Sequence, residues 1–311
     1  MNLKIKLESL VDRFIEWLKR ATIPGFRDQS LYYVGRYFIR SMFNDDLILR
    51  ASSLAFNFFL ALFPAIIFFF TLIAYIPIEN LHDEILSYLE YILPNNTYAT
   101  VASTISDILK RQRGDLLSFG FVAAIFFGSN GFVSMINAFQ KYAANEDRRP
   151  WYMQRMRSIF LTLLTALILV LSILVVTYIS ITFHWLNQKN VIKGAGYEFG
   201  VQAFEYLSVF ALFYFIISSL YYFGSSKGSG WHFFSPGGTF ASILGLLTTF
   251  SFAFYINQFN SYNKLYGSIG TLIALMVLIY FNCIVVLIGF ELNSSIDRAE
   301  IKSEEKKNIA R

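Results

Sequence analysis

Long segments without any charged side chain constrain the fold of this chain more than any other feature. Five segments of at least 21 residues lack Asp, Glu, Lys and Arg, and about 20 apolar residues suffice to cross the hydrocarbon core of a bilayer. They cover residues 51–78, 116–140, 158–183, 206–226 and 265–290. A sixth span is predicted over residues 236–258, inside another uncharged stretch. Because a segment in lipid must satisfy its own backbone hydrogen bonds, these spans predict an all-α, polytopic membrane protein with six transmembrane helices.

The composition supports the same class. Of the 311 residues, 55% are hydrophobic and 15% are charged, whereas soluble domains carry about 25% charged residues. So much apolar side chain also excludes a disordered chain. The single cysteine, Cys283, excludes an intrachain disulfide and a cysteine-based zinc site. Since no catalytic motif accompanies the spans, we expect no enzyme activity, no metal site and no cofactor.

The distribution of Lys and Arg predicts the orientation of the chain. With six spans both termini share one side, and that side carries twenty of the 26 basic residues. Loops rich in Lys and Arg stay in the cytoplasm, so both termini are predicted to be cytoplasmic. The same bias accounts for the isoelectric point near 9.1. We expect no nucleic-acid partner, because no recognisable basic module is present.

Segments outside the spans suggest three further units. Residues 1–46 are predicted to form amphipathic interfacial helices, since apolar side chains recur at helical spacing over 2–20 and again over 30–43. The external loop over 79–114 shows two short amphipathic stretches and is predicted to be a helical hairpin. Residues 294–311 are predicted to be a charged cytoplasmic tail behind a transmembrane domain over 47–293.

Three sequence blocks carry a resemblance to a known family. They are RASSLAF at 50–56 followed by LFP at 62–64, WHFFSPGG at 231–238, and YGSIG at 266–270 leading to GFELN at 289–293. In order and spacing they resemble the YihY/BrkB family of bacterial inner-membrane proteins, over about residues 25–297. The resemblance implies six spans, cytoplasmic termini and a bacterial plasma (inner) membrane location. Members were formerly misnamed ribonuclease BN. Phe290 stands where the family pattern has Ala, and Phe56 with Asn57 where aromatic residues such as Tyr are usual.

Four asparagines in the spans are candidates for a substrate cavity. Helix rise places Asn57, Asn130, Asn137 and Asn282 in the predicted cytoplasmic half, on three different helices. Polar groups inside a membrane are costly and often mark a substrate path. The alternative is that these amides form hydrogen bonds between helices and stabilise the bundle.

Arg50 and Glu291 form a candidate charge pair at the cytoplasmic rim, at the ends of the first and last spans. Arg50 would hold an anion, oriented by Glu291. Alternatively, the two side chains would pair with each other or reach the interface separately. Pro64 lies near the middle of the first span and removes one helical hydrogen bond, which makes it a candidate hinge or a static bend.

These features predict a transporter-like protein that moves or handles an amphiphilic, lipid-like or anionic substrate through a cytoplasm-facing cavity. The amphipathic N-terminal segment, the basic rim and the very apolar spans favour membrane lipids as partners. A lateral opening lined by aromatic residues would favour lipid, and a deep polar cavity would favour a small solute or ion. A bundle without a cavity would favour a scaffold in an envelope complex. The sequence leaves open a homo-oligomer or an envelope partner.

Overall fold

The fold is given by a computed structural model, in which most of the chain is described. It describes residues 12–13, 15–44, 46–75, 86, 102, 105–107, 113–140, 150–188, 195–225, 233–258 and 268–309. Within these ranges the chain is α-helical apart from short turns and one isolated β-bridge, and it forms no strand there. The predicted all-α class is confirmed.

Besides a short helical segment over residues 15–20, the described fold contains seven helices. They are α1 (Leu31–Asn44), α2 (Leu47–Ile73), α3 (Gly114–Gln140), α4 (Trp151–Gln188), α5 (Ala195–Gly224), α6 (Pro236–Gln258) and α7 (Ser268–Ile309). Six of them, α2 to α7, are long and apolar enough to cross a membrane. The prediction of six transmembrane helices is therefore confirmed.

The six membrane helices form a closed ring. Each helix packs against the next one in the chain, α7 returns to pack against α2, and α1 lies against α7. Neighbours run antiparallel: Gly120 of α3 lies beside Phe68 of α2, and Gly131 beside Phe58. Consequently α1 and the C-terminal part of α7 lie at one end of the bundle, which we call the α1 end.

Several helices extend beyond their predicted spans, among them α5, which begins at Ala195 and not at residue 206. α4 runs from Trp151 to Gln188, and α7 continues to Ile309 through the region where a tail was predicted. The extension of α7 has a buried face, since Ile296 and Ala299 pack against Phe26 and Val34. Apart from residues 86, 102, 105–107 and 113–114, the predicted hairpin over 79–114 lies outside the described residues, as does most of the predicted helix over 2–20.

The densest packing lies in the half of the bundle nearest the α1 end. The main buried cluster is drawn from residues 47–55, 132–139, 161, 217–221, 241 and 283–290. At its centre the rings of Phe139 and Phe290 stack 3.8 Å apart, with Tyr221 edge-on to both. Side chains farther along the helices are mostly half-buried or exposed, as expected where lipid surrounds the bundle.

Candidate functional site

Asn57 and Asn282 each form a hydrogen bond to the neighbouring helix. The Asn57 amide donates to the Ser134 hydroxyl of α3 at 3.0 Å and to the Ser53 carbonyl of its own helix at 2.9 Å. The Asn282 amide reaches the Thr249 hydroxyl of α6 at 3.4 Å. The two asparagines therefore lie in different interhelical contacts, one between α2 and α3 and the other between α6 and α7.

Asn130 and Asn137 share the contact between α3 and α4. The Arg155 guanidinium donates to the side-chain Oδ1 of Asn130, and the side-chain amide of Gln154 donates to the Oδ1 of Asn137. The guanidinium also lies 5.0 Å from the centre of the Phe126 ring, where the cation and the ring attract each other. The contacts of all four asparagines match the alternative of hydrogen bonds between helices, and their assignment to a substrate cavity stays a prediction.

Arg155 was not identified from the sequence as a partner of Asn130, because this residue was placed in the loop between the second and third predicted spans. α4 begins at Trp151, so Arg155 lies in its second turn and faces α3. A signal was available: Asn130 and Asn137 are seven residues apart and therefore occupy one helical face, which requires polar partners on the next helix.

Arg50 and Glu291 occupy neighbouring parts of the α1 end. Arg50 donates from its guanidinium to the Ala138 carbonyl at the end of α3, over 3.4 Å. Glu291 is 1% exposed, and its carboxylate accepts a 2.6 Å hydrogen bond from the Ser41 hydroxyl of α1. Their direct pairing stays a prediction.

Pro64 lies within α2, which continues as a helix to Ile73. Its ring occupies the place of an amide hydrogen, so the carbonyl four residues earlier loses its helical donor. The helix accommodates this loss without ending. The role of Pro64 as a hinge stays a prediction.

The second and third sequence blocks meet where α6 begins beside α7. The Asn293 side chain accepts a hydrogen bond from the Gly237 amide at 2.8 Å and donates one to the Ser235 hydroxyl at 2.9 Å. The Ser235 hydroxyl in turn accepts from the Gly238 amide at 3.1 Å. These contacts satisfy amide groups that the first turn of a helix leaves unpaired. We call this group the Asn293 junction.

Two glycines allow the close approach at the Asn293 junction. A β-carbon on Gly237 would lie 2.1 Å from the Gly289 carbonyl oxygen, and one on Gly289 would lie 2.5 Å from the Ala241 β-carbon. The Tyr221 hydroxyl lies beside Gly289 and donates to the Val286 carbonyl at 2.6 Å. The blocks that carry the family resemblance thus include residues that join three helices.

A polar cavity of about 510 Å³ opens beside this junction at the α1 end. The turn over residues 22–28 forms one wall, and Ser235, Asn293 and Asp297 contribute to the other. Arg27 fixes the turn to α7 through ion pairs with Asp297 at 3.0 Å and Glu300 at 2.7 Å. The candidate asparagines 57, 130, 137 and 282 do not line this cavity.

An apolar cleft of about 430 Å³ lies between α4 and α5, within their membrane-spanning stretches. Of the ten described residues that line it, eight are apolar and the other two are Ser172 and Ser208. Leu171 and Leu207 at the cleft are half exposed or more, so it opens towards the surrounding lipid. In the most apolar stretch of α4 only 6% of residues are buried, which places this helix at the edge of the bundle.

Potential metal ligands do not gather in the part of the chain that the structure describes. There, no group of three or more His, Cys, Asp and Glu side chains is placed to hold an ion. Cys283 is a buried free cysteine on α7.

The fold and its contacts define a polytopic helical membrane protein in which α1 packs against the C-terminal part of α7. The family model of virulence factor BrkB matches residues 38–310. The chain therefore belongs to the BrkB family of membrane proteins, as the three sequence blocks indicated.

Individual relatives agree with this assignment. YfkH of Bacillus subtilis, named as a ribonuclease-like protein, is 30% identical over 251 residues, which cover 79% of this chain and 88% of YfkH. A UPF0761 membrane protein of Vibrio campbellii is 26% identical over 280 residues, covering 88% of this chain and 85% of the relative. Another from Pseudoalteromonas translucida is 43% identical over 79 residues, about a quarter of each chain. No solved structure matches the chain.

Proposed function

We propose that this protein moves or handles an amphiphilic, lipid-like substrate in the bacterial plasma membrane. The observation that carries the proposal is the apolar cleft between α4 and α5, which opens to lipid along two membrane-spanning helices. A hydrated ion or a small polar solute would lose its water there without gaining polar partners. An acyl chain or another apolar tail would give up no hydration and would exchange its contacts with neighbouring lipid tails for van der Waals contacts with the cleft.

The orientation belongs to the same proposal. The α1 end faces the cytoplasm, because the sequence concentrates its basic residues on that side. Both the N-terminal segment and the end of α7 lie there in the structure, as an even number of spans requires. The polar cavity beside the Asn293 junction then opens to the cytoplasm, and a polar head group would be accommodated there rather than in the cleft.

Membrane handling rather than covalent chemistry is the activity we infer. The name of YfkH describes that relative as ribonuclease-like, whereas the names of the UPF0761 relatives describe membrane proteins. An RNA substrate would require a basic surface that follows its backbone. The apolar cleft that carries our proposal lies instead within the membrane-spanning stretches of α4 and α5.

A lipid-translocation assay tests the role of the cleft. Purified protein is reconstituted into vesicles, and the movement of a fluorescent phospholipid between leaflets is measured by dithionite quenching. Protein is expected to accelerate this movement. Substituting Ala211→Trp fills the cleft and is expected to return the rate to roughly that of protein-free vesicles, because the indole occupies the space of an apolar tail.

Leu247→Trp provides the matched control. Leu247 lies on α6, is 58% exposed and does not line the cleft, so the same bulky ring should leave the rate unchanged. Lipid movement that both variants retain in full would contradict the role of the cleft. Release of an entrapped small solute without lipid movement would favour a solute transporter, and no movement of either would favour a scaffold.

A further inference from the structure

A second cavity at the α1 end is strongly basic. It has a volume of about 590 Å³ and lies between the N-terminal part of the chain, including α1, and the C-terminal part of α7. The charged residues that line it are Lys19, Asp28, Arg36, Arg40, Lys302 and Lys307. Five cations therefore face one carboxylate among the described lining residues. We call this cavity the basic groove, and it shares no lining residue with the apolar cleft.

Four of these cations have no acidic partner in the described part of the chain. Arg36, Arg40, Lys302 and Lys307 form no ion pair there, although neighbouring Arg27 is paired with both Asp297 and Glu300. Arg36 and Arg40 are four residues apart on α1, where like charges repel each other across one helical turn. The groove thus maintains a repulsive arrangement that a bound anion would relieve.

Ser30 supplies a second, independent indication of a ligand. Its hydroxyl oxygen is buried and has no hydrogen-bond partner among the described residues, and Ser30 is one of the residues that line the basic groove. A buried hydroxyl without a hydrogen-bond partner destabilises the folded protein. A hydrogen bond to a ligand oxygen would remove that cost. Tyr37 also lines the groove. An oxygen-rich anion would thus meet cations and a hydroxyl donor in one place.

The position of the groove favours a phosphate at the membrane surface. On α1, Ile39 is 57% exposed and Phe43 is 85% exposed, one turn apart and beside the Arg36 and Arg40 positions. Such an apolar stripe is typical of a helix lying in the interface, with its apolar side chains towards the acyl chains. The neighbouring arginines then lie at the depth of the head groups. Arginine binds phosphate oxygens through two parallel hydrogen bonds.

From these observations we propose that the basic groove binds a phosphate-bearing anion, supplied by an anionic lipid head group or by a soluble phosphate compound. Arg36 and Arg40 form one wall of the site, and Lys302 and Lys307 form the other. The cytoplasmic leaflet holds anionic lipids that attract basic segments of this kind. Binding would link α1 to α7 beyond their apolar contact, because both walls neutralise the same charge.

Two arms of one binding experiment distinguish the sources. In the lipid arm, the full chain in dodecyl maltoside is titrated with phosphatidylglycerol or phosphatidylcholine, and retained lipids are counted by native mass spectrometry. In the soluble arm, pyrophosphate is titrated calorimetrically into the protein in phosphatidylcholine nanodiscs. Saturable binding of phosphatidylglycerol in preference to phosphatidylcholine, or of pyrophosphate, supports the site and identifies its source.

The double substitution Arg36→Gln/Arg40→Gln is expected to weaken that binding at least about tenfold, because it removes two cations from one wall. Lys302→Gln/Lys307→Gln tests the other wall and should have a similar effect. Arg13→Gln/Arg20→Gln is the matched control, since both arginines are exposed near the α1 end and outside the groove. The proposal is overturned if neither anion binds to the wild type, or if the control loses as much affinity as the groove variants.

Discussion

The variant Gly237→Ala is expected to yield almost no folded protein. A β-carbon at this position would lie 2.1 Å from the Gly289 carbonyl oxygen and 2.6 Å from the Asn293 side chain. Backbone of α7 cannot yield as a flexible side chain would, so α6 and α7 must separate and the hydrogen bonds of the Asn293 junction must stretch. Overpacking costs about 1–3 kcal/mol in general and more where, as here, the group that must move is backbone.

Fluorescence-detected size-exclusion chromatography of a fusion protein measures this outcome as the height of the monodisperse peak. Gly35→Ala is the matched control, because nothing lies within 4 Å of a β-carbon at Gly35 in α1. Alanine favours a helix over glycine by about 0.5–1 kcal/mol, so the control should match or exceed the wild type. A normal peak for Gly237→Ala would show that α6 and α7 do not meet as closely as described.

The second large effect is expected for Asn293→Leu. The leucine side chain has a similar size but cannot accept from the Gly237 amide or donate to the Ser235 hydroxyl. Asn293 is 4% exposed, so water cannot replace these partners. Buried groups left without partners cost about 1–3 kcal/mol each. We expect the midpoint of thermal unfolding in detergent to fall by at least about 4 °C.

Asn282→Leu on the same helix is the comparison for this prediction. Asn282 is only partly buried, and its bond to Thr249 is longer, at 3.4 Å. Its loss should lower the midpoint by less than half as much. Equal shifts for the two variants would contradict a special role of Asn293 at the start of α6. They would mean that removing any side-chain amide from a membrane helix has the same effect.

Sequence alone predicts the spans, because crossing the bilayer requires about 20 apolar residues and a helix that satisfies its own backbone hydrogen bonds. Pro236 begins α6 at the predicted residue, since proline suits the first helical position. The ends of α4 and α7 were not predictable in the same way. Charged residues after Glu291 suggested a tail, but the helix continues because Ile296 and Ala299 pack against the N-terminal segment.

The site was less accessible to sequence reasoning than the fold. Asparagines in apolar spans are visible in the sequence, yet their partners Ser134, Arg155 and Thr249 depend on which helices become neighbours. The residues of the Asn293 junction belong to two of the sequence blocks noted above. Their spacing along the chain, however, does not reveal that residues 237 and 293 are in contact. The cleft and the basic groove are spaces between helices, so no single segment encodes them.

The orientation in which the α1 end faces the cytoplasm is part of the proposed function and places the basic groove at the cytoplasmic leaflet, and cysteine labelling tests it directly. In a Cys283→Ser background, single cysteines are introduced by Arg20→Cys, Lys302→Cys and Asp115→Cys, all at exposed positions. In intact bacterial spheroplasts, a membrane-impermeant maleimide should label only the Asp115→Cys protein. The other two should react only after permeabilisation. Labelling of Arg20→Cys or Lys302→Cys in intact spheroplasts would contradict the orientation.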